Sequence, residues 1–308
     1  MGAQVGTMCI RSTKVSPVPE NSARGQKPAN RTGALVVVAP ATGDDQQATI
    51  TPGGAAMRGG SAGPGGIDGE ALSASERAPA LTLLCLPQIG GGVSTFHTWK
   101  GLFGANVRLV AARLPGRESR MREVPYCRAE DAVAELVDAL AVDGTQRLAL
   151  FGHCSGAVVA YALALEIEKR GGPLLEGLYV SSFGPPRAEG SGNGTEVYRL
   201  PDAELLHHVE QLDGTPARVM DSPQLMAMVM PKLRADFQIM ETYLVPGGSA
   251  PLQCPLVLFA AGNDRTLGAA EVAEWARFAA RPPTVFQVEG GHFSALPAVG
   301  EVLSRLLG

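Results

Sequence analysis

The stretch that most restricts how this 308-residue chain can fold is LALFGHCSGAVVA, residues 148–160. An apolar run ends at Gly152, three residues lead to Gly156, and an alanine-rich helical pattern begins. A strand that becomes a helix through Gly-x-nucleophile-x-Gly is a nucleophile elbow. Its central residue sits in strained backbone, and side chains two positions to either side would strike the neighbouring strand and helix, hence the glycines. In GHCSG the residue equidistant from both glycines is Cys154. Ser155 is displaced by one, so its side chain points elsewhere while its N–H faces the reacting centre. A thiolate gains here from the amides at the helix N-terminus and from a nearby histidine that can hold the proton. Two other readings compete: Ser155 as nucleophile in a shifted turn, and a small buried cysteine without chemistry.

Around the elbow, strand and helix patterns alternate. ALTLLCLP, NVRLVAARLPG, RLALFG, LEGLYVSSF, PLVLFAAGND and TVFQVEGGH predict strands. VSTFHTWKGLF, RAEDAVAELVDALAV, SGAVVAYALALEIEKR, GAAEVAEWARFAA and LPAVGEVLSRLLG predict helices. This order predicts an α/β fold with a mostly parallel central sheet and helices on both faces. The rhythm breaks over about 187–246, where LPDAELLHHVEQLDG and SPQLMAMVMPKLRADFQIMETYLV predict helices with no strand between them, an inserted helical lid. Residues 1–78 are rich in Gly, Pro and Ala with one apolar island, ALVVVAP, and are expected to form a disordered tail ahead of a domain over 79–308.

In elbow folds the chain order is nucleophile, acid, histidine. Asp264 follows a predicted strand in VLFAAGND, and His292 follows the next in VEGGHF, both at loops where a doubly wound sheet presents functional groups. His292 would take the thiol proton and later activate water, with Asp264 fixing its tautomer. Attack on an acyl carbonyl also needs donors for the developing oxyanion. The N–H groups of Ser155 and of Ile89, in the loop LPQIGGG, are placed to supply them. His153, His97, His207 and His208 are expected to be packed or solvated, and Asp202, Asp213 and Asp221 to be cap or turn residues of the lid. Met220, Met226, Met228 and Met230 read either as lid packing or as a pliable lining for acyl chains. Arg117, in LPGRE, reads either as a steering group for an acidic partner or as a surface ion pair with Glu118 or another carboxylate.

Net charge is −4 and there is no dense run of Lys or Arg, so neither nucleic acid nor an anionic membrane is expected as a partner. Five widely spaced cysteines without a CxxC pair point to reduced thiols rather than a metal site, and no metal or organic cofactor is expected. With no apolar run of membrane-spanning length and no secretory leader pattern, a cytoplasmic protein is expected.

LLCLPQIGGGVSTFHTW, RLPGRESR, FGHCSGA, the lid segment and the closing GGHF together resemble the type II thioesterases, stand-alone editing enzymes of polyketide and nonribosomal peptide synthesis, over about residues 80–307. The resemblance implies an α/β hydrolase fold. It also implies hydrolysis of acyl groups from the phosphopantetheine arm of acyl or peptidyl carrier proteins, with Cys154, Asp264 and His292 catalytic. The sequence does not reveal the oligomeric state, and a monomer is expected. Family members mostly carry Ser at the elbow, so Cys154 is a departure. A cysteine acyltransferase or cyclising thioesterase, and a non-catalytic carrier-binding relative, are the alternatives.

Overall fold

A strand that is apolar at every position has to be covered on both faces, and Leu256–Ala261, LVLFAA, has that character. The computed structural model describes residues 34–37, 80–143, 145–189, 196–211, 222–264 and 268–308. In chain order the strands and α-helices are β1 (Leu35–Val37), β2 (Leu81–Leu86), β3 (Val107–Ala112), α1 (Ala129–Asp143), β4 (Arg147–His153), α2 (Gly156–Arg170), β5 (Leu174–Ser181), β6 (Arg187–Ala188), α3 (Asp202–Gln211), α4 (Pro223–Thr242), β7 (Leu244–Val245), β8 (Leu256–Ala261), α5 (Ala269–Trp275), β9 (Thr284–Val288) and α6 (Leu296–Leu307). Among the described residues seven strands form one sheet in the order β1-β3-β2-β4-β5-β8-β9, antiparallel at β1 and parallel elsewhere.

All six residues of β2 and of β8 are buried, and their side chains alternate between two cores. Leu84, Leu86, Leu148, Leu150 and Leu258 pack with Leu136, Tyr161 and Trp275 on one face. Leu83, Cys85, Ala149, Phe151 and Phe259 pack with Phe96, Trp99, Val299 and Leu303 on the other. The Trp99 indole N–H donates to the Leu296 carbonyl at 3.0 Å. A Cβ on Gly300 would lie 2.5 Å from that indole nitrogen, so glycine lets α6 approach. The architecture is the mostly parallel sheet with helices on both faces that the strand and helix patterns predict, and the α/β hydrolase fold that the resemblance implies.

Three expectations change. The first helix is a 3₁₀ stretch, Val93–Trp99, because its buried residues Val93, Phe96 and Trp99 recur every third position, the 3₁₀ period rather than 3.6. The island inside the expected tail forms β1: Leu35, Val36 and Val37 pair with Ala112, Ala111 and Val110. Three apolar residues thereby occupy the β3 edge, which would otherwise present unpaired backbone. Residues 1–33 and 38–79 lie outside the described residues. Finally, the insertion contains strand as well as helix, since β6 and β7 pair in parallel at its base. No helix among the described residues is long and apolar enough to cross a membrane.

Candidate active site

The elbow follows from local sterics. Cys154, 3% exposed, sits between β4 and α2 with φ +52°, a left-handed backbone that a non-glycine residue adopts only when its surroundings impose it. Here the surroundings do so. The Cys154 N–H donates to the Ser181 carbonyl of the neighbouring strand at 2.9 Å. A Cβ on Gly152 would stand 2.5 Å from Ala157 Cα, and one on Gly156 would collide with the Leu86 carbonyl oxygen and lie 2.6 Å from that of Pro87. One glycine clears the helix and the other clears the neighbouring strand.

Asp264 and His292 meet because the loops after β8 and β9 are tied together. The Gly262 N–H donates to Val288 and the Asn263 N–H to Gly290, at 3.0 and 2.9 Å. His292 Nδ1 lies 2.9 Å from Asp264 Oδ2, with side-chain exposures of 10% and 3%. The Cys154 sulfur lies close enough to the same ring to act on its proton affinity. Burial on its own would depress the His292 pKa, but the hydrogen bond to Asp264 and the neighbouring Cys154 sulfur and carboxylate charge outweigh it and raise it to about 9. Ser182, at φ +58°, donates through Oγ to the His292 carbonyl at 3.3 Å and steadies the histidine loop. No sequence pattern marks Ser182, because its role arises only when β5 is placed beside β8.

The loop after β2 reaches the elbow because β2 and β4 are neighbours, with Leu86 opposite Gly152. Ile89 is half-buried against the lid core of Val197, Leu205, Val209, Met226, Met230, Leu233 and Phe237. Ser155 is the N-cap of α2. Among the described residues the N–H groups of Ile89 and Ser155 have no hydrogen-bond acceptor. The arrangement can therefore offer a sulfur nucleophile, a proton carrier with its orienting carboxylate, and two backbone donors.

His153 is fully buried. Burial, reinforced by the positive charge on His292, pulls its pKa down to about 3, so it stays neutral beside a ring whose centroid is 5.4 Å away. That is the packed role expected. His97 and His207 are exposed and His208 is half-buried. Asp202 opens α3, while Asp213, Asp221 and Met220 lie outside the described residues. Met226 and Met230 belong to the lid core and Met228 is exposed. Arg117 makes its ion pair with another carboxylate rather than with Glu118, and makes it buried rather than at the surface. It is 4% exposed and pairs at 2.7 Å with Asp236 of α4, a residue the sequence reading did not single out. Among the described residues no group of three or more His, Cys, Asp or Glu side chains could hold a metal ion.

Residues 81–307 match a family model described as a thioesterase domain. Thioesterase PikA5 of Streptomyces venezuelae is 37% identical over 216 residues, which span 70% of this chain and 75% of PikA5. Gramicidin S biosynthesis protein GrsT of Aneurinibacillus migulanus is 29% identical over 216 residues, 70% of this chain and 83% of GrsT. Among solved structures, the RedJ thioesterase from the prodiginine biosynthetic pathway in Streptomyces coelicolor superposes with a TM-score of 0.66 at 30% identity, covering 74% of this chain and 91% of RedJ. The type II thioesterase BorB from the borrelidin biosynthetic cluster superposes with a TM-score of 0.65 at 30% identity, covering 75% and 94%.

Proposed function

The chain belongs to the thioesterase family, with type II thioesterases of polyketide and nonribosomal peptide pathways as its relatives, and on that premise we propose that it hydrolyses acyl thioesters on the phosphopantetheine arm of acyl or peptidyl carrier proteins through an acyl-Cys154 intermediate. The observation that carries this reading is the His292 ring held 2.9 Å from Asp264 and within electrostatic reach of Cys154, on an elbow whose φ is +52°.

Cys154 Sγ attacks the thioester carbonyl, and the carbonyl electron pair moves onto oxygen, where the N–H groups of Ile89 and Ser155 donate to it. Collapse breaks the bond to the pantetheine sulfur, which leaves with the proton held on His292. Thioester has been exchanged for thioester, so this half-reaction is close to balanced in bond energy. Acylation also removes the sulfur charge that helped hold the His292 proton, so the ring becomes a neutral base. It then accepts a proton from water as the water oxygen attacks. The acid leaves, and the Cys154 sulfur and protonated His292 are restored. Asp264 keeps the ring oriented throughout. No cofactor enters these steps, because the pantetheine arm belongs to the substrate.

The test is intact-protein mass spectrometry after brief mixing with short acyl-pantetheine thioesters. The acyl adduct should vanish in Cys154→Ala, persist in Ser155→Ala and become a more slowly formed ester in Cys154→Ser. Loss of the adduct in Ser155→Ala with retention in Cys154→Ala would reverse the assignment. A chain that is never labelled and consumes no thioester would be a carrier-binding module instead. One observation favours a second reading: a cysteine at the elbow centre leaves the intermediate a thioester, still an acyl donor to amines, hydroxyls or thiols. Transfer or ring closure then competes with hydrolysis, and that reading fails if only free acid forms while a good nucleophile is present.

A further inference from the structure

A backbone N–H stabilises an oxyanion only while it is aimed at it, and the loop that carries Ile89 has little stiffness of its own, since Gly90, Gly91 and Gly92 follow directly. The loop is held from outside. The Gly90 N–H donates to Asp236 Oδ2 at 2.7 Å, and the Gly91 carbonyl accepts from Arg117 Nη1 at 3.0 Å. Arg117 Nη2 closes the triangle on Asp236 Oδ1 at 2.7 Å. The Gly90 N–H lies in the same peptide plane as the Ile89 carbonyl, so its bond to Asp236 fixes ψ of Ile89. Asp236 lies on α4, the long helix of the lid, and α4 also presses on the loop directly. Gly90 has φ +70°, and a Cβ there would stand 2.8 Å from Leu233 Cδ2. A salt bridge serving stability alone would not need the second Asp236 oxygen on the backbone beside the candidate oxyanion donor.

We propose that Arg117 and Asp236 are positioning residues that clamp the oxyanion loop to lid helix α4, so that acylation is fast only while the lid is seated. This rests on the reading of Cys154 as nucleophile and Ile89 as donor, and extends it to residues that touch no reacting atom. The lid thereby becomes part of the transition-state machinery as well as a cover for the acyl chain.

The experiment compares two reactions of Cys154 in the full-length chain. Acylation by acetyl-pantetheine, followed by rapid mixing and mass spectrometry, develops an oxyanion. Alkylation by iodoacetamide is a displacement at saturated carbon and develops none. Asp236→Ala and Arg117→Met should slow acylation at saturating substrate by about 10- to 100-fold, the scale of a misaimed donor, with KM within about twofold. Alkylation should stay within about twofold of wild type. Asp236→Asn, with one acceptor oxygen left to serve either the Gly90 N–H or Arg117, should fall between. If Asp236→Ala does not fold, Asp236→Asn and Arg117→Met make the same comparison. Acylation at the wild-type rate in these variants overturns the proposal, as does a parallel fall in alkylation, which would place the damage at Cys154 and His292. A wild-type chain that alkylates but never acylates overturns the nucleophile reading itself, and the clamp with it.

Discussion

Removing the Cys154 sulfur should lower the proton affinity of His292, by an amount the site geometry sets. The His292 pKa stands at about 9 against an ordinary 6.5: burial pulls it down, and the hydrogen bond to Asp264 with the neighbouring Cys154 sulfur and carboxylate charge more than compensate. At about 1.4 kcal/mol per pH unit the gap corresponds to roughly 3 kcal/mol of preference for the imidazolium, reduced to about 2 by solvent screening in a site that must admit substrate. Cys154→Ala leaves burial in place and deletes the sulfur contribution. The His292 midpoint should therefore fall by at least about one pH unit, and in Cys154→Ala/Asp264→Asn it should drop below the ordinary value. The assay is a histidine Cε1–H NMR titration from pH 5 to 10, in which His153, with its pKa near 3, stays silent. Linkage gives a second readout. A folded-state pKa above the unfolded one contributes stability that is complete below about 6.5 and lost as pH rises through about 9. Denaturant unfolding of wild type should accordingly lose about 2 kcal/mol relative to His292→Gln across that window. A wild-type midpoint at or below 6.5, or one unmoved by Cys154→Ala, would refute the account of the site.

Gly156→Ala should destabilise the chain by about 1–3 kcal/mol in thermal melts and abolish acylation, because the new Cβ meets the backbone of Leu86 and Pro87 rather than a side chain that can swing away. Gly300→Ala should cost a similar amount by pushing Trp99 off the Leu296 carbonyl, visible as a shift in tryptophan fluorescence together with a lower Tm. Arg117→Met and Asp236→Leu should each cost about 3–5 kcal/mol by leaving a buried charge unpaired, and the double variant less than their sum in a double-mutant cycle of urea unfolding.

What could be read from the sequence was local. Leu256–Ala261 is apolar at every position, so it had to lie inside a sheet, and the spacing of Gly152 and Gly156 around Cys154 records two steric clashes only a few residues away. Asp264 and His292 each stand just past a recognisable strand, and backbone bonds between those two loops bring them together. What escaped the reading depends on partners far along the chain. Leu35–Val37 becomes a strand only because β3 offers an edge, and two-residue strands such as Arg187–Ala188 and Leu244–Val245 are too short to carry a period. Arg117 and Asp236 are 119 positions apart, and in sequence one is a charge in a glycine turn and the other a charge on an amphipathic helix. Neither motif nor periodicity can register that pairing, because it exists only once the lid has folded back over the loop after β2. The groups proposed to carry the chemistry are therefore encoded by short motifs, whereas the groups proposed to aim them are encoded by tertiary packing. For that reason a substitution in α4, outside every motif of the site, is expected to reach the rate of acylation.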